Sequence, residues 1–82
     1  MATEKTVCRY ADIASMDSAM AEAFRMALQR LPANQAVTLR REQLEWFKQY
    51  ARNCNAVASD VERKVCIVRH LSARTRQLKA QP

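Results

Sequence analysis

Apolar residues recur along this chain at three- and four-residue intervals, in three separate stretches. Taken at 100° per residue, Ile13, Met16, Met20, Ala23, Phe24, Ala27, Leu28 and Leu31 fall in one narrow sector. They predict a helix over about 12–31, with Asp12 at the N-cap and Leu31-Pro32 as its end, because the residue before proline is pushed out of helical backbone. A turn over Pro32 to Asn34 follows. A second stripe reads Ala36, Leu39, Gln43, Trp46, Tyr50 and Cys54, with Phe47 on its flank, and predicts a helix over about 35–53. Its polar face holds Arg41, Glu45, Lys48 and Arg52, of which Arg41 and Glu45 are spaced to pair. The segment Asn53 to Ala58 breaks the pattern. Ser59-x-x-Glu62 then forms a capping box ahead of Val61, Val65, Val68, Leu71, Thr75 and Leu78, predicting a third helix over about 60–79. Short connections force neighbours antiparallel, so the expected architecture is an all-α, up-down-up three-helix bundle in a single domain spanning 1–82. Residues 1–11 form an N-terminal arm whose large apolar groups are Val7 and Tyr10, too few to order it without an anchor.

Composition narrows the function more than the fold. The chain contains no glycine, which excludes the phosphate-binding loop, the dinucleotide fingerprint and the nucleophile elbow, all of which need backbone room. Charge is divided unevenly: residues 1–39 are neutral overall, and the whole net charge of +6 falls in residues 40–82. In the third helix Arg63, Lys64, Arg69, Arg74, Arg76 and Lys79 follow Glu62 with no acidic counterweight. Cations there complement the negative end of a helix dipole. They also make Arg63, Arg69, Arg74, Arg76 and Lys79 a candidate partner surface for an anionic polymer, nucleic acid or lipid headgroup. Arg69 and Arg76 share one side while Arg63, His70 and Arg74 share another, so the charge wraps the helix. No stretch approaches the roughly 18 apolar residues of a membrane span.

Cys8, Cys54 and Cys66 are an odd count, so one thiol is left over from any pairing within the chain. Cys54 closes the second helix and Cys66 lies in the second turn of the third, a spacing that suits a disulfide across that corner; the alternative is two buried thiols acting as small hydrophobes. A zinc site is not expected, because the sole histidine, His70, follows Cys66 by four and there is no Cys-x-x-Cys. No metal or cofactor is expected elsewhere either. Catalysis finds little footing: His70 stands among Arg63, Arg69 and Arg74, Ser72 points away from it, and nothing brings Cys8 to it. Gln43 lies inside an apolar stripe, either at its solvent edge or as a buried amide that fixes helix register. Trp46, on the same face, reads as a core anchor rather than a ligand platform.

The order Thr3-Glu4-Lys5-x-Val7-Cys8, Asp17, Leu31-Pro32, Leu39, Gln43-x-x-Trp46, Cys54, Cys66 and Arg74-x-x-x-Leu78 resembles the lysozyme-inhibitor LprI-like family of bacterial envelope proteins, over nearly the whole chain. The resemblance implies a small helical domain, exported to the periplasm or secreted, with cysteines in disulfides, no catalytic activity, and lysozyme as a protein partner. It implies further that Cys8 pairs with a cysteine shortly upstream, with this chain starting after both that cysteine and an export leader. Tyr50 departs from the pattern, standing where the family often has arginine.

Overall fold

A computed structural model describes residues 2–81, with the side chains of Glu4 and Cys8 outside the description. The pairing expected of Cys8 therefore lies outside the described residues. The chain forms four helices, α1 (Ala2–Arg9), α2 (Ala11–Arg30), α3 (Ala33–Asn55) and α4 (Asp60–Lys79), and no strand among the described residues.

The three long helices make the expected up-down-up bundle. Lys64 reaches Asp12 at 3.5 Å near the starts of α4 and α2, and Arg30 donates to the Leu78 carbonyl at their ends, so these two run parallel. Cys54 near the end of α3 is bonded to Cys66 near the start of α4, which sets α3 antiparallel to α4 and so to α2. The most extensive packing is α2 on α4. Ile13, Met20, Ala23 and Ala27 of α2, Leu39, Tyr50 and Cys54 of α3, and Ile67, Leu71 and Leu78 of α4 form the core.

The boundaries correct the pattern reading in three places. The arm is a helix in its own right. Thr3 and Thr6 are buried, and the Thr3 N–H and hydroxyl both donate to the Asn55 side-chain oxygen at the end of α3, which is the anchor the arm needs. The N-cap of α2 is Tyr10 rather than Asp12. A single extended residue, φ −111° and ψ 116°, separates α1 from α2, leaving Asp12 in the first turn where a carboxylate faces the positive helix end. Helix α3 runs two residues further at each end than the expected 35–53, with Asn53 to Asn55 still helical.

The stripe on α4 also differs. Val61 and Val65 are 76% and 48% exposed, and the buried line is Ile67, Leu71, Arg74 and Leu78. This is a helical register of four, three and four residues with a cation in it, which hydropathy alone does not select. The cap is as expected, with the Glu62 N–H donating to Ser59 Oγ at 3.2 Å. No described residue has positive φ, so every connection is made from right-handed or extended backbone.

Candidate functional site

The polar groups taken furthest from water lie between α3 and α4. Gln43 is only 4% exposed and sits in the apolar register of α3, so its amide must find partners inside the protein. Its Oε1 accepts from Arg74 Nε at 2.8 Å, and its Nε2 donates to Met20 Sδ at 3.1 Å. Gln43 is thus a buried amide, and not a residue of the solvent edge. Arg74, 7% exposed, also donates from Nη1 to Gln77 Oε1 at 3.2 Å and lies 5.9 Å from the centre of the Trp46 ring. Burial pushes its pKa down and the Glu42 charge pulls it back up, and a guanidinium stays cationic throughout.

Trp46 is half-buried and stacks on Tyr50, with ring centres 4.9 Å apart and planes 15° from parallel. It packs against the core while remaining partly open to solvent. The Tyr50 phenol is buried without a partner among the described residues, as is Arg74 Nη2. Burial first, and the Asp17 carboxylate second, push the Tyr50 pKa to about 12. Asp17, Gln43, Trp46, Tyr50 and Arg74, spread over three helices, therefore share one electrostatic neighbourhood. It holds a desolvated cation between an amide and an indole.

The second polar cluster is the corner where α3 gives way to α4. Cys54 and Cys66 form a disulfide with Cα atoms 5.5 Å apart. Arg63 wires the connection, donating to the Cys54 carbonyl at 3.2 Å, the Val57 carbonyl at 3.2 Å and Asp60 Oδ1 at 2.9 Å. Three bonds from one side chain hold a loop that has no glycine to shape it. His70 lies against both sulfurs, with Nδ1 3.7 Å from Cys66 Sγ and 3.9 Å from Cys54 Sγ.

These residues can be set beside known proteins. Residues 1–78 match the family described as Lysozyme inhibitor LprI. The chain belongs to the LprI family. No curated protein and no solved structure matches it. Of the residues that carried the resemblance to the LprI family, Gln43, Trp46 and Arg74 pack together as a strut between α3 and α4, and Cys54 with Cys66 forms a clamp. Tyr50 contributes a buried ring stacked on Trp46.

The five basic residues read as one surface are divided by the fold. Arg69, Arg76 and Lys79 are exposed, whereas Arg74 is inside the bundle and Arg63 is committed to the loop. Arg74 went unrecognised as a core residue because a charge is read outward by default. The signal for its burial was its place in the register Ile67, Leu71, Leu78. Elsewhere, Arg41, Glu42, Glu45, Trp46 and Gln49 line a shallow hollow on α3.

Proposed function

We propose that this LprI-family domain is an exported, non-enzymatic inhibitor of lysozyme that acts by docking as a rigid helical body. The observation that carries the reading is the family match across residues 1–78. The disulfide supports export, since such bonds persist in oxidising compartments. No helix among the described residues is long and apolar enough to cross a membrane, which fits a domain that meets its partner in aqueous surroundings.

Lysozymes are commonly basic, and so is this chain, which favours a contact where acids gather. The hollow beside Trp46 offers Glu42 and Glu45, with Arg41 at its edge and Lys48 paired to Glu45 at 3.3 Å, next to a half-buried indole, the kind of aromatic that anchors protein interfaces. We place the docking contact there. The test is lysis of a cell-wall suspension by lysozyme in the presence of the purified domain. Inhibition is expected near equimolar ratio and is expected to weaken in Glu42→Lys/Glu45→Lys. Unchanged lysis at large molar excess of the parent domain would refute inhibition, and full inhibition by the double variant would refute the contact.

A further inference from the structure

The disulfide corner contains a group that inhibition by docking does not use. Cys54 Sγ, Cys66 Sγ and the imidazole of His70 lie within 4.8 Å of one another, the one cluster of three such donors among the described residues. Cys66 and His70 are four residues apart on α4 and so share a face, while Cys54 comes from the end of α3. We propose that reduction of the Cys54–Cys66 disulfide converts this corner into a zinc site, with Cys54 Sγ, Cys66 Sγ and His70 Nδ1 as ligands and water in the fourth position.

The geometry is close to what the metal requires. Tetrahedral zinc with bonds of about 2.3 Å to sulfur and about 2.0 Å to nitrogen places a sulfur and a nitrogen ligand about 3.5 Å apart and two sulfurs about 3.8 Å apart. The two sulfur-to-Nδ1 distances are already 3.7 and 3.9 Å. Only the bonded sulfurs have to part. A two-thiolate, one-imidazole set suits zinc by ligand softness and leaves one position open. Cys66 and His70 are half-buried, so an ion in solution can reach them.

Two local bonds rearrange. His70 Nδ1 gives up its 2.9 Å contact with the Cys66 carbonyl to offer its lone pair to the metal. The proton then sits on Nε2, which lies 3.4 Å from the Asn53 amide. Turned over, that amide presents oxygen and accepts the proton, the support a ligating imidazole normally has. In the covalent step a dithiol reductant donates two electrons and two protons by thiol exchange, leaving as its own disulfide. Zinc then displaces two protons from Cys54 and Cys66.

The test uses the full chain carrying Cys8→Ser, so that the third thiol cannot contribute. It is reduced, freed of reductant under inert gas and titrated with Co²⁺ and then Zn²⁺. A thiolate-to-cobalt charge-transfer band reaching one ion per chain is expected, lost when zinc is added and absent from the oxidised chain. His70→Gln should lower zinc affinity by at least about tenfold, since loss of a mere supporting partner to a ligand costs 10–100-fold. If reduction alone melts the bundle, zinc should restore its far-ultraviolet helical signal and raise its Tm. The proposal is overturned by absence of the band together with no regain of helix, by equal binding to the oxidised chain, or by His70→Gln matching its parent. None of these readouts involves lysozyme, so the outcome is separate from the inhibitory reading.

Discussion

Arg74 is a guanidinium withdrawn from water into a setting where its acceptors are the amides of Gln43 and Gln77. Each partner is therefore costly to remove alone. Gln43→Leu leaves Arg74 Nε buried with nothing to donate to and should destabilise the domain by about 2 kcal/mol. Replacing both, as Gln43→Leu/Arg74→Met, removes donor and acceptor together and should recover most of that loss. Urea unfolding of the three variants checks the expectation, and equal destabilisation of single and double variants would contradict it. Tyr50 gives a pH signature. Its phenol ionises near 12 when folded against 10.0 ordinarily, so folding favours the protonated form. That contribution is whole below pH 10 and is lost as the pH rises from 10 toward 12. Thermal melts across this range should show a fall in Tm that Tyr50→Phe reduces. Gln43 and Arg74 each occupy an apolar position in their helix, so a clue to both was present in the spacing. What hydropathy does not encode is that two polar side chains can satisfy each other and thereby occupy the interior.

At the level of elements, α2 and α3 were readable because their apolar residues repeat at helical spacing, broken in α3 by Gln43 alone, and the start of α4 because Ser59 and Glu62 leave a local signature. The helix of α1 was less so. Its order rests on Asn55, more than fifty residues away in sequence, and no local pattern reports a partner at that distance. The α3–α4 corner was legible as a disulfide because two cysteines flank a short break. The nearness of His70 was hidden because helical spacing relates it to Cys66, whereas Cys54 reaches it only across the helix pair. Closing a twelve-residue separation is worth about 3 kcal/mol by loop entropy. Cys54→Ser/Cys66→Ser should accordingly lower the urea midpoint by that equivalent. Amide exchange should accelerate first at the end of α3, where the clamp and the anchor of α1 coincide.

For the whole molecule, the governing quantity is a net charge of +6 carried entirely by residues 40–82. Two basic proteins repel at long range, so association with a basic lysozyme should speed up as salt screens the repulsion, on the scale of a Debye length of about 10 Å at 0.1 M. Stopped-flow mixing across a salt series checks this. A rate that falls with salt would instead indicate that the acids of the α3 hollow dominate the approach.

The absence of positive φ has a bearing on how such a contact can be mapped. In most small domains a positional scan is confounded at the joints, where any residue with a β-carbon distorts the main chain. Here no joint depends on a residue without one. Alanine through tryptophan can be tried at every connection without imposing backbone strain of that kind, and a loss of inhibition at the exposed Ala56 or Ala58 would point to the partner's footprint rather than to a broken bend.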